Sequence, residues 1–219
     1  MLREKLTTLK KDLIEYATLV ERMIEDSVKG LLQRDSQLLE DVIEKEEPEA
    51  NEWEMQLDDL CTNLIARYQP KAKDLRVILM VLKMNNDLER MGDHAVNIAE
   101  SSLFLVARPL VKPLIDIPNM AKIAMKMLKD SINSFIDENA KLAKDVCERD
   151  DTVDALRDQI IRELITFMSS DPSTIERSFH LIRISTNLER IADLSTNICE
   201  DVIFMVEGRV IKHHREELN

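Results

Sequence analysis

The 219-residue chain holds only three glycines and six prolines. Turns in β-sandwiches and α/β units draw on those residues, so their scarcity argues against both classes. Leu, Ile, Met, Glu, Lys and Arg are abundant instead, which predicts an all-α protein. Cysteine is also sparse. Cys61, Cys147 and Cys199 are odd in number, far apart and set in apolar helical contexts. No CxxC or Cys/His cluster of a zinc site occurs, and the expectation is three free thiols in a reducing cytosol. No apolar run approaches the ~18 residues of a membrane span. The opening segment MLREKLTTLKKDLIEY is charged throughout, unlike a signal peptide, so the expected location is cytoplasmic. Positive charge is in deficit: 30 Lys and Arg face 42 Asp and Glu, a net charge of −12. Without a basic patch, such a chain is repelled by nucleic-acid phosphates and by anionic lipid. The same acidity suits cation binding. Hydrophobic residues at 44% and charged residues at 33% suffice for a buried core and a polar surface.

The chain is written twice. LERMGDHAVNIAE (Leu88–Glu100) returns as LERIADLSTNICE (Leu188–Glu200), 100 positions on. The same offset pairs Leu64-Ile65 with Leu164-Ile165 and Leu82-Lys83 with Ile182-Arg183. Upstream the offset is 104, pairing MIEDSVKGLL (Met23–Leu32) with MLKDSINSFI (Met127–Ile136). The first copy therefore carries about one extra helical turn, placed between Glu47 and Trp53, and two similar modules are implied. Each reads as three helices. The first module's helices are expected over 2–45, 51–68 and 73–106, with a break at EEPEAN, where Pro48 disfavours continuation. The second module's are expected over 119–148, 152–169 and 173–207. The proline-rich segment 109–118 joins modules 1–108 and 119–219. Short connections make successive helices antiparallel, giving two tandem, pseudo-symmetric three-helix bundles of spectrin-repeat-like form. Val77, Val81, Leu88, Met91, Ala95, Ile98 and Ser102 make the expected core stripe of the third helix. Gly92, beside that stripe, marks either a close helix contact or room for a ligand.

The doubled phrase is also acidic. Glu89 and Asp93 stand four apart on one helical face, at the edge of the core stripe, with Asn97 and Glu100 on the same line. Glu189, Asp193, Asn197 and Glu200 repeat them, and Arg90 and Arg190 offer each copy a nearby cation to hold the acids in place. The second helices carry matching pairs, Glu54 with Asp58 and Asp154 with Asp158. Chance alone gives about eight acidic i,i+4 pairs in so acidic a chain, so their recurrence at equivalent places is the stronger signal. With the second and third helices adjacent, each module turns four carboxylates and an Asn amide toward one patch, a hard-oxygen set suited to Mg²⁺, Ca²⁺, Mn²⁺ or iron. No Glu-x-x-His pair of di-iron bundles occurs. His94 has Leu194 as its counterpart, and His213-His214 reads as a solvated tail. The competing reading is a solvated face with ion pairs to Arg67, Arg76 or Lys83.

QPKAKDLR (Gln69–Arg76), DLERMGDHAVNIAE (Asp87–Glu100), NLERIADLSTNICEDVIF (Asn187–Phe204) and PLVKPLIDIPNM (Pro109–Met120) together resemble the PhoU family of bacterial phosphate regulators over nearly the whole chain. The resemblance implies two three-helix bundles that bind metal, including multinuclear iron or zinc. The ligands would be Glu54, Asp58, Glu89 and Asp93 with Asn97, and Asp154, Asp158, Glu189 and Asp193 with Asn197. It further implies a non-enzymatic adaptor between the ATPase subunit of the phosphate ABC transporter and the sensor histidine kinase of the phosphate regulon. Such an adaptor is a negative regulator when phosphate is plentiful, and a homodimer is expected. SSDPSTIE at 169–176 departs from QPKAKDLR, so a partner of that segment would meet only the first module in the same way. The alternatives are a metal-dependent carboxylate-cluster enzyme and a purely structural helical scaffold.

Overall fold

The computed structural model describes residues 2–207; His213 and His214 lie outside them. Among the described residues there is no strand. The elements are α1 (Leu2–Gln33), α2 (Ser36–Asp41), a π-helical stretch Val42–Glu46, α3 (Glu47–Tyr68), α4 (Lys73–Val106), α5 (Asp116–Ile136), α6 (Ala140–Cys147), α7 (Asp150–Ser170), a 3₁₀ turn Pro172–Thr174 and α8 (Ile175–Glu207). The first bundle comprises α1 with α2, α3 and α4; the second comprises α5 with α6, α7 and α8.

The first long helix is not continuous over 2–45. It breaks at Arg34, which adopts φ 56°. Asp35 then caps α2, its side chain accepting from the Leu38 N–H at 3.1 Å. The second module breaks at the equivalent place: Glu138 has φ 50°, and Asn139 accepts from the Leu142 N–H at 3.1 Å. A left-handed residue followed by an Asp or Asn cap ends one helix and starts another without glycine. Pro48, in turn, does not break the chain. It sits in the first turn of α3 directly after the π-helical stretch Val42–Glu46, and the backbone stays helical through it. The extra residues of the first copy are accommodated by the π-helical winding at Val42–Glu46 and a second bundle helix that starts earlier than its counterpart α7. The helix α5 begins at Asp116, inside the segment expected to be linker.

The core follows the helical period. Val77, Val81, Leu88, Met91, Ala95, Ile98 and Ser102 of α4 are all buried, facing Leu9, Leu13, Tyr16, Val20 and Met23 of α1. Burying each large apolar side chain contributes roughly 1.5–3 kcal/mol, so this stripe fixes which face of α4 turns outward. Gly92 is not there for close approach: a Cβ at that position would meet only Met23 Cε, at 3.8 Å.

The third helices also join the modules. Lys83 pairs with Asp201 at 2.9 Å, His94 with Asn187 at 2.8 Å, and Phe104 stacks on His180. As one residue number rises the other falls, so α4 and α8 run antiparallel along the seam. Buried Lys112 anchors the linker to Asp116 and Glu163. No helix among the described residues is long and apolar enough to cross a membrane.

Candidate functional site

The core stripe places the acidic line of each third helix at the edge of the groove beside the second helix. In the first module Glu54 and Glu89 are half-buried while Asp58 and Asp93 are exposed. Burial first, then the charges of Asp93 and Glu54, push the Glu89 carboxyl up from its ordinary value. Those three acids therefore share one neighbourhood. Asp58 is held from the other side by buried Asn85, whose Nδ2 donates to Asp58 Oδ1 at 3.1 Å and to the Glu54 carbonyl at 2.9 Å. Asn97 donates to the Asp93 carbonyl at 2.9 Å, which fixes its amide one turn along.

Sequence reasoning missed two further groups here. Tyr16 of α1 comes up between α3 and α4. Its hydroxyl is 0% exposed, has no hydrogen-bond partner, and is raised well above the usual phenol range by burial and by Glu89, Glu54 and Asp93. Asn85 is 1% exposed, and with Nδ2 committed to two acceptors its Oδ1 also lacks a partner. Among the described residues no Lys or Arg forms an ion pair with Glu54, Asp58, Glu89 or Asp93, and Arg90 turns instead to Asp87 at 3.9 Å.

The second module brings the equivalent acids together around a cation of its own. Arg157 of α7 donates through Nη1 to buried Glu189 and through Nη2 to Asp158 at 2.9 Å, and its Nη1 lies 3.8 Å from Asp154. Arg190 takes Asp193 at 3.2 Å. Glu189 and Asp193 are both pushed up by burial, against the pull of these guanidiniums. Asn197 sits with Asp193, Arg190, Arg90, Asp150 and Glu200 along an open groove of about 360 Å³ at the seam. Of the cations expected from the sequence, Arg190 holds Asp193 and Arg90 pairs with Asp87, while among the described residues Arg67, Arg76 and Lys83 form no ion pair with either patch. Lys83 instead spans the modules, and Arg157 has the role.

Among the described residues no three His, Cys, Asp or Glu side chains are gathered closely enough to form a ready-made metal cage. The first patch is open, has no described ion pair and is backed by two orphan buried oxygens; that donor set fits a hard cation after side-chain rotation. The second patch fits poorly, because a guanidinium already fills the place a cation would take. His94 is no ligand in this arrangement, since its Nδ1 is engaged by Asn187 across the seam.

The comparisons follow the same two-module division. The family model described as the PhoU domain matches residues 13–102 and 117–202, one match in each bundle. The chain is 41% identical over 210 residues to the phosphate-specific transport system accessory protein PhoU homolog of Aquifex aeolicus, covering 96% of this chain and 95% of that protein. The crystal structure of PhoU from Pseudomonas aeruginosa superposes with a TM-score of 0.91 at 33% identity, covering 95% of this chain and all of that one. The phosphate transport system regulatory protein PhoU from Streptococcus pneumoniae gives 0.89 at 26% identity, with 97% and 100% covered.

Proposed function

We propose, from the premise that this chain belongs to the PhoU family, that it is an accessory regulator of phosphate uptake. The observation that carries this reading is the match of both bundles to the PhoU domain, together with full-length similarity to a phosphate transport accessory protein. In the finer form of the proposal the chain works in the cytoplasm as a homodimer, by contact and without turnover. It bridges the ATPase subunit of the phosphate ABC transporter and the sensor histidine kinase of the phosphate regulon, and it restrains the kinase when phosphate is plentiful. Deleting the gene and assaying alkaline phosphatase in high phosphate tests it. Expression should rise, and tagged protein should capture the ATPase subunit. Unchanged expression with no capture would sink the adaptor reading.

Metal binding belongs to the same proposal. The first module's Glu54, Asp58, Glu89 and Asp93 would hold a divalent or trivalent cation, with Asn97 one turn beyond. A bound cation would supply positive charge that quenches their mutual repulsion and orders the outer face of α3 and α4. The protein's own contribution is to preset that face: the apolar stripe of α4 orients Glu89 and Asp93, and Asn85 fixes the Asp58 carboxylate. Elemental analysis of protein purified without added metal, before and after chelation, checks this directly. Metal content that is unchanged in Glu89→Gln would remove these residues from the assignment.

A further inference from the structure

We infer that the two carboxylate patches have unlike roles: the first module's takes a hard cation from solution, and the second module's is closed by its own guanidinium, Arg157, in the cation's place. This inference rests on the metal-binding reading above and divides it between the modules.

Three positions in the repeat carry the argument. At the 100-residue offset Arg157 corresponds to Leu57, which is buried at 1% exposure in α3. The first module therefore has no counterpart of Arg157, and its Arg90 acts on Glu89 only at a distance while pairing with Asp87; the second module's Arg157 is bonded to Glu189 and Asp158 and lies near Asp154. At the 104-residue offset Tyr16 corresponds to Met120, buried and without a polar atom that needs a partner. At the 100-residue offset Asn85 corresponds to Ser185, whose hydroxyl is satisfied by the Ile182 carbonyl at 2.9 Å. At these two positions behind the acids the second module has an apolar or self-satisfied residue; its own buried oxygens without a hydrogen bond, Asp154 Oδ1 and Glu189 Oε2, belong to the carboxylates gathered on Arg157. The second module adds the arginine that the first lacks.

Charge leads the same way. In the first module Glu54, Glu89 and Asp93 repel one another, with Asp58 beyond Asn85, and none of the four has a described ion pair. In the second, four carboxylates share Arg157 and Arg190. A buried polar atom left without a partner costs free energy, and a ring of like charges adds repulsion. A hard cation would relieve the repulsion in the first patch, and its hydration water would bring hydrogen-bonding capacity toward Tyr16 Oη and Asn85 Oδ1, which are enclosed without a partner. In the second patch it would have to displace a guanidinium already bonded to a buried carboxylate. The class of ligand is an oxygen-seeking divalent or trivalent cation.

The chain offers a built-in reporter. Its one tryptophan, Trp53, and its two tyrosines, Tyr16 and Tyr68, all lie in the first module, so Tb³⁺ emission excited through aromatic side chains reports on that module. Titration of the full-length chain with Tb³⁺, with bound ion counted by equilibrium dialysis, should give sensitised emission that accounts for the tight sites. The double variant Glu89→Gln with Asp93→Asn should weaken that affinity at least tenfold. Glu189→Gln with Asp193→Asn should leave it unchanged. Arg157→Leu, which installs the first module's residue, should add a class of bound ion with little sensitised emission. Arg157→Gln serves as the milder variant, and circular dichroism confirms that each variant is folded. Tight binding of equal strength in both modules of the parent chain, or an unchanged ion count in both folded Arg157 variants, would overturn the inequality while leaving metal binding intact. No tight binding in the parent chain or in either Arg157 variant would instead overturn the metal reading itself.

Discussion

His94 of the first module and Asn187 of the second meet across the seam, Nδ1 to Oδ1 at 2.8 Å. The Asn187 amide nitrogen is committed to the Arg183 carbonyl at 2.7 Å, so its oxygen faces the ring and the imidazole must donate from Nδ1. The bond is not repeated by symmetry, because the residues equivalent to His94 and Asn187 are Leu194 and Asp87. A double-mutant cycle of His94→Ala and Asn187→Ala, read by urea denaturation, should give a coupling of about 0.5–1.5 kcal/mol. Strict additivity would mean that the pair contributes nothing to holding the modules together.

The two described glycines of the long helices should respond in opposite directions to the same substitution. A Cβ on Gly30 would lie 2.6 Å from Leu39 Cγ and Cδ2, where α2 folds back on α1. Gly30→Ala must therefore displace a buried leucine, at a cost of about 1–3 kcal/mol. Gly92 has only Met23 Cε at 3.8 Å, and Ala192 already stands in the second copy. Gly92→Ala should stabilise by roughly 0.5–1 kcal/mol through the lower entropy of the unfolded chain. Thermal midpoints of the two variants check the contrast, and a destabilised Gly92→Ala would show that the glycine has a use beyond the packing seen.

The core was legible because apolar spacing in Val77 to Ser102 repeats the helical period over a long helix. The break at Arg34-Asp35 was harder to read. Its left-handed residue is an arginine, with no glycine or proline to mark the place, and its cap is a single aspartate. Only the alignment of Asp35 with Asn139 at the 104-residue offset shows the signal twice. Pro48 misled for the converse reason: proline disfavours a regular α-helical interior, but here it follows a π-helical stretch and the helical backbone continues past it. The carboxylates stood out because they are alike in both copies. Arg157, Tyr16 and Asn85 escaped notice because they differ between copies, as Leu57, Met120 and Ser185 show, and a search for identity passes over such differences.

The three thiols should differ sharply in reactivity. Burial pushes the Cys61 thiol up to about 12, and buried Cys199 is raised further by its bond to Cys147 and by burial. Cys147, half-buried on α6, is lowered by the same thiol–thiol hydrogen bond. Thiolate is the reacting form, so iodoacetamide at mildly alkaline pH should alkylate Cys147 first. Cys61 and Cys199 should follow only on unfolding. Peptide mass spectrometry over a time course reads the order, and early labelling of Cys61 would contradict the packing of α3.

Phe104 lies between His180, whose ring stacks on it at 3.9 Å and 14°, and the Arg108 guanidinium, 3.5 Å from its centre on α4's continuation. His180 Nδ1 is enclosed without a partner. Burial first, then Arg183, lowers the imidazole from its ordinary 6.5. A histidine whose folded value is depressed adds stability that is present above the unfolded value and is lost as pH falls through the folded one. Acidification from pH 7.5 to 5.5 should therefore lower the melting temperature of the parent chain more than that of His180→Phe, which keeps an aromatic ring on Phe104 but cannot take up a proton. The proton titration of the His180 ring followed by NMR should give a midpoint below 6.5. A midpoint above it, or equal pH sensitivity of the two proteins, would mean that the stacked ring accepts charge as readily as one in water.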